Sequence, residues 1–251
     1  MKYFKLFDEQ TAFDDTKSTV DRPNVAVVKE SGDVFLTGRN ANGHAFVDLG
    51  LSVRWATMNV GAAKETDCGY YFMWGETTPN ITCSWQNYKY CDATAETTNS
   101  NAMLNKYYTS TAYGANPDNK TTLDLEDDAA RFHMGGDWRM PTRTEIQELL
   151  NNTTNEWFDN FNGTGRKGYK FTSKADTSKY IFIPASGERD GDNVWDTNLS
   201  CHLWSSSLSS SRFANNMYFL DPQREGNTKP YPYGDSMWRI VGSVVRGVLE
   251  F

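Results

Sequence analysis

The chain of 251 residues, 28.5 kDa, is long enough to bury a full core, as one large domain or as a main domain with a small appendage. Its formal charge is -7, and its 25 Lys and Arg are scattered singly rather than gathered in a stripe, which argues against a nucleic-acid partner. Acidic residues arrive by position 8 of M-K-Y-F-K-L-F-D-E-Q and no long apolar run comes after them, so neither a secretory signal nor membrane insertion is expected.

Residues 1–42 differ in texture from the rest of the chain. V-A-V-V at Val25–Val28 and D-V-F-L at Asp33–Leu36, with Gly32 between them, read as a hairpin with a Gly turn. Because a lone hairpin is marginal, this segment is expected to attach or oligomerise, for example as a trimer. The main domain, 43–251, opens with strand patterns at Ala45–Asp48, Val53–Asn59 and Tyr70–Trp74. Residues 77–122 are polar and rich in Asn, Thr and Tyr, and read as a long excursion with a short helix at Ala102–Tyr108.

Two helices are clearer. Leu123–Met134 carries acids early and Arg131 late, matching the helix dipole, before Gly135 and Gly136 end it. Thr142 with Glu145 three residues on makes a capping box, and Ile146, Leu149 and Leu150 supply a buried stripe. Strand patterns return at Tyr169–Thr172 and at Tyr180–Ile183, apolar on both faces and so expected to be central. They close with Leu203–Ser206, Met217–Leu220 and Ile240–Val248. Strands, two helices, then strands predict an α+β domain with a mixed or antiparallel sheet and long loops.

The chemistry-bearing residues form no catalytic constellation. His44, His133 and His202 lie in no metal-ligand spacing, and His133 reads as a helix-end cation. Asp127 and Asp128 read as capping groups, and Ser205–Ser207 lack a nucleophile elbow. An enzyme would need a pocket joining Glu76, Asp127 or His202. The four cysteines, Cys68, Cys83, Cys91 and Cys201, match no zinc signature and read as free thiols. Asn116–Asp118 reads as a Pro turn. Trp55, Trp74 and Trp138 stand beside Gly or Pro in apolar strings and are expected in the core, and Arg246 is expected to pair with an acid near the N-terminal strand. No cofactor is called for, and a structural calcium is left open.

The C-terminal quarter has a different character. Phe213, Tyr218, Tyr231, Tyr233, Met237 and Trp238 stand among Pro222, Gly226, Pro230, Pro232 and Gly234. Large aromatic groups on a semi-rigid segment give contact area at low entropic cost, and Asn215, Arg224 and Asp235 add directed hydrogen bonds. With Leu220 and Ile240, these residues form the expected ligand-binding face.

Several strings also carry a family resemblance. V-D-L-G-L-S-V-R-W-A-T-M-N-V-G-A, G-Y-Y-F-M-W-G-E-T-T-P, D-D-A-A, G-G-D-W-R-M-P-T, E-I-Q-E-L-L, I-F-I-P-A-S-G-E-R-D-G and L-W-S-S-S resemble, in matching order, the Fibrobacter succinogenes major paralogous domain. The resemblance implies a C-type-lectin-like fold in which Phe46–Leu49 and Ser243–Val248 pair as first and last strands. Some members are variable proteins of diversity-generating retroelements, abundant in Bacteroidetes and their phages. Trp204–Ser207, Ala214, Asn216, Met217, Phe219, Arg239, Gly242, Val245, Arg246 and Val248 fall on framework positions. Asn215, Tyr218 and Leu220 fall where members vary, and Gly247, Ile240 and Val241 depart from the usual residues. The resemblance implies a phage tail receptor-binding protein, acting from the virion on a cell-surface protein or glycan. A structural subunit of the particle and a secreted adhesin of fixed specificity are the alternatives.

Overall fold

The computed structural model describes residues 2–5, 25–28, 34–37 and 40–251. At the N-terminus, β1 (Lys2–Lys5), β2 (Val25–Val28) and β3 (Val34–Thr37) pair antiparallel in that order. The expected hairpin is present, its first strand as expected and its second one residue further along, with β1 added to it; its Gly32 turn lies outside the described residues. Next, β4 (Asn40–Ala41) and β5 (His44–Val47) pair across Asn42-Gly43. Both turn residues have positive φ, 51° and 82°, the backbone that an Asn-Gly hairpin turn requires. The expected boundary at 42/43 therefore falls inside a hairpin, and Asn40 and Ala41 belong with the second sheet.

That sheet runs β17 (Arg246–Leu249), β6 (Arg54–Asn59), β5, β4. The expected direct pairing of first and last strands is corrected, because β6 stands between β5 and β17. The chain reverses at Gly50, whose N–H bonds the Asp48 carboxylate at 2.9 Å. It returns along β5 before the C-terminus arrives, so the last strand takes the free edge of β6.

A mixed sheet of five strands holds the C-terminal quarter. Its order is β15 (Tyr233–Trp238), β14 (Phe213–Leu220), β13 (Ser200–Ser210), β16 (Ser243–Val244), β7 (Tyr71–Phe72), with β13 and β16 parallel. Trp204, Ala214 and Met237 belong to one apolar core with Trp74, Trp85 and Trp138. Leu203, Met217, Phe219 and Val244 belong to a second core with Trp55, Ile146, Leu149 and Phe171. Neighbouring residues of a strand point to opposite faces, so this sheet is the partition between two cores. Trp55, Trp74 and Trp138 are all fully buried.

A fourth sheet is β10 (Tyr180–Pro184), β9 (Gly168–Ser173), β8 (Thr153–Phe158). Here Tyr180–Ile183 is an edge strand, not a central one. Its apolar faces are covered by packing rather than by a second neighbour: Phe161 stacks on Phe182 at 3.9 Å, and Ile181 and Ile183 enter the second core. A hairpin, β11 (Glu188–Asp190) and β12 (Asn193–Trp195), completes the strands.

The first predicted helix is shorter than expected. A 3-10 turn covers Leu125–Asp127, and α1 spans only Ala129–Met134 because the Asp128 carboxylate accepts from Arg131 N and makes itself the N-cap. The second, α2 (Arg143–Asn152), has both hydrogen bonds of the Thr142–Glu145 box. No helix forms at Ala102–Tyr108: Leu104 bridges Cys91, and Tyr107 has a positive φ.

The 77–122 excursion contributes to the core, despite its polarity. It buries Trp85, Tyr88, Tyr90, Leu104 and Tyr107 and is pinned by Arg239, which is fully buried. Arg239 donates to the Tyr88 hydroxyl at 2.8 Å and to the carbonyls of Tyr107, Ser211 and Lys106 at 2.7, 2.8 and 3.1 Å. Its guanidinium also lies 5.0 Å from the Trp74 ring.

Candidate recognition face

Register sorts the C-terminal side chains. On β14, Ala214, Asn216 and Tyr218 share one face and stand opposite Met237, Asp235 and Tyr233 of β15. Across β13 they meet Leu208, Trp204 and His202. The Trp204–Ala214–Met237 end is sealed in the first core. Towards the other end the cover thins: Tyr218, Tyr233 and His202 are half-buried and Asp235 is exposed. The Tyr218 ring lies 4.4 Å from the His202 imidazole and 5.5 Å from the Tyr233 ring, so the three rings support one another.

The β11–β12 hairpin flanks these rings and supplies Glu188, whose carboxylate lies 3.2 Å from His202 Nε2, and Trp195, which is 55% exposed. Gly187, which bridges Cys201 of β13, lets the hairpin close on itself: it has φ 68°, and a Cβ there would come within 1.9 Å of the Trp195 carbonyl. Burial pushes His202 down to about 4 and raises Glu188, so at neutral pH the imidazole is neutral, with its Nε2 3.2 Å from the Glu188 carboxyl group. Its Nδ1 faces the Asn216 amide oxygen at 3.4 Å. Asn216 Nδ2 is buried without a partner when the amide oxygen points at the ring. The reversed amide satisfies both groups, with Nδ2–H donating to Nδ1.

The residues expected to bind ligand divide by depth. Tyr218, Tyr233 and Asp235 come together on the face just described, and Arg224 and Tyr231 are exposed on the turn before β15. Phe213 and Trp238 are half-buried at the far end of the sheet, with rings 4.2 Å apart and Trp238 edge-on to Trp85 at 6.2 Å. Leu220 is half-buried at the end of β14. Asn215, Met237 and Ile240 do not face solvent. The Asn215 amide donates to the Leu208 carbonyl at 2.9 Å, across an irregular stretch of β13, and Met237 and Ile240 lie in the first core. The display thus stands largely on two paired strands rather than on turns.

A cleft of about 420 Å³ opens on the α2 side of β15, lined by Gln147, Asn151, Asn155, Lys229, Tyr231 and Tyr233 among others. Gln147 and Asn151, one turn apart on α2, join through Nε2 to Oδ1 at 3.0 Å. Lys229 Nζ lies 4.0 Å from the Tyr233 ring centroid. No family model, curated protein or solved structure matches the chain.

Other chemistry-bearing residues are engaged elsewhere. Asp124, Glu126 and Asp127 could converge on a cation, but lysine ammoniums already stand there: Lys106 is 2.5 Å from Asp127 and 2.8 Å from Asp124, and Lys89 is 2.9 Å from Asp127. Burial pushes Asp127 up, and the Lys106 and Lys89 ammoniums more than reverse this, holding it well below the usual carboxylate range. Glu76 accepts from Lys89 N and Asn80 Nδ2, and His133 Nε2 donates to the Thr77 carbonyl at 2.7 Å. The four cysteines are unbridged, and Asp118 turns the Asn116–Asp118 loop by accepting from Tyr107 N and Tyr108 N. Among the described residues Arg246 makes no direct ion pair, a correction to expectation. Fully buried, it donates to Asn59 Oδ1 at 2.9 Å and to the Thr57 carbonyl of β6, and the Glu65 carboxylate acts on it only through space.

His202, Glu188, Asn216 and Trp195, with the α2 amides, are the members of these sites that sequence reasoning missed. Only Trp195 left a signal, as a lone Trp in the Gly- and Asp-rich string R-D-G-D-N-V-W-D.

Proposed function

We propose that this chain is a recognition protein that binds a cell-surface protein or glycan through the outer face of β13, β14 and β15. The observation that carries this reading is the held set of rings, Tyr218 between His202 and Tyr233, with the exposed Trp195 beside it. Large amphipathic side chains fixed before binding lose little entropy on contact. The ordered run of framework strings supports a C-type-lectin-like scaffold of the Fibrobacter succinogenes major paralogous type. On that reading the chain is a receptor-binding component of a phage particle, and Tyr218 and Tyr233 are positions that diversification would alter.

The test is capture of Bacteroides isolates by the whole chain. Tyr218→Ala and Trp195→Ala should each weaken capture of a bound isolate about tenfold or more while leaving thermal unfolding close to wild type. Unchanged capture, or an equal loss of folding stability, would refute the assignment. Sequencing the gene in sister isolates tests diversification: changes confined to Tyr218, Tyr233 and their exposed neighbours support it, and an invariant tail removes it.

A further inference from the structure

We infer that the cleft between α2 and the Lys229–Gly234 segment binds a saccharide that carries a carboxylate. This deepens the recognition reading, on which it rests, by giving a chemical class to a part of the ligand that the outer face does not reach.

The lining is amide and aromatic. A side-chain amide places a donor and an acceptor in one plane, and each sugar hydroxyl both donates and accepts. Gln147 and Asn151 sit at i and i+4 on one face of α2. Their mutual hydrogen bond consumes Gln147 Nε2–H and one lone pair of Asn151 Oδ1. Gln147 Oε1 is left to accept and Asn151 Nδ2 to donate, a pair suited to adjacent hydroxyls, and Asn155 adds a third amide. Tyr231, 53% exposed, offers an apolar ring for the C–H face of a pyranose together with a polar tip. Leu150 and Pro232 are the aliphatic side chains of the lining, and a purely apolar ligand would leave the three amides unpaired.

Charge narrows the class. The chain carries -7 overall, yet Lys229 is the single charged residue lining the cleft. Its ammonium is held over the Tyr233 ring by a cation–π contact. A carboxylate on the sugar would meet a positioned cation there, with no acidic group in the lining to oppose it. The volume, about 420 Å³, lies in the range of small-molecule sites and suits one or two sugar rings.

The experiment titrates the whole chain with sialyllactose and with galacturonic acid oligomers, using lactose as the neutral counterpart, by saturation-transfer NMR and calorimetry. An acidic sugar should bind, with lactose weaker by about fivefold or more. Asn151→Ala and Tyr231→Ala should each cost about tenfold, and Lys229→Gln should bring acidic and neutral sugars to parity. Asn151 and Tyr231 are exposed, so unchanged thermal unfolding confirms that each variant is folded. No binding of an acidic sugar, equal binding of lactose by the wild type, or affinity indifferent to Asn151→Ala and Tyr231→Ala overturns the inference. Trp195→Ala separates the two readings, since Trp195 belongs to the outer face and is not part of the cleft lining. A wild-type chain that binds the acidic sugar but captures no cells would refute only the outer-face reading. Cell capture without sugar binding would refute only this one.

Discussion

His202 shows how one buried ring couples the face to pH. Its value in the fold, about 4, lies below the ordinary 6.5 because burial disfavours the charged form. The unfolded chain therefore binds the extra proton, and stability falls as pH drops below about 6.5, with the loss complete near 4. The penalty is on the order of 2 kcal/mol after allowance for partial solvation. Urea unfolding at pH 7.5 and pH 4.5 should show wild type losing more stability than His202→Gln. Equal losses would mean that His202 is solvated in the folded chain. Comparison with the variant matters because Glu188, raised by burial, stabilises the fold in acid while Asp127, lowered by its lysines, destabilises it. Both are present in each protein and largely cancel from the difference. None of this was visible at His202 in the sequence, since Glu188 and Asn216 lie on separate strands and only register brings them to the imidazole.

Of the two helices, α2 is the one whose start was read correctly, because a capping box is a contact between residues three apart and needs no tertiary help. The fold adds a clamp. Arg139 holds Glu145 in a bidentate pair at 2.6 and 2.8 Å, while Glu145 accepts from Thr142 N. Thr142→Ala should cost about 1 kcal/mol, measured by denaturant unfolding, and Thr142→Ser should restore most of it. A neutral Thr142→Ala would mean that Arg139 alone fixes the helix start. The helix expected over Leu123–Met134 was half right for the opposite reason. Its acids suit a helix start, but Asp128 can cap only one position, and its contacts to Arg131 N and Met140 N place that start at Ala129. The β14–β15 pairing was missed because Tyr233–Trp238 contains Gly234 and Asp235, poor strand formers that an edge position tolerates.

For the whole molecule, the decisive arrangement is a sheet between two cores, with the excursion closing one of them. Arg239 is the tie, since its guanidinium bonds the excursion at Tyr88, Lys106 and Tyr107 and the β13–β14 turn at Ser211. Arg239→Met keeps much of the volume but strands three buried carbonyls. It should cost about 3 kcal/mol or more, a fall in melting temperature of roughly 6–12 °C for a chain of this size. A loss under about 1 kcal/mol would show that the excursion is held by its aromatic packing alone. The α+β class, the capping box and the burial of Trp55, Trp74 and Trp138 were determined by the sequence itself, through element order, short-range contacts and apolar character that burial must satisfy. The tertiary structure alone decided which aromatic groups of the C-terminal quarter face outward, and that α2 amides meet Lys229 and Tyr231 in a cleft. Facing depends on strand register, and the cleft on side chains some 80 residues apart. Neither leaves a local pattern, because the contacts that set them form only when the sheet and the helix pack.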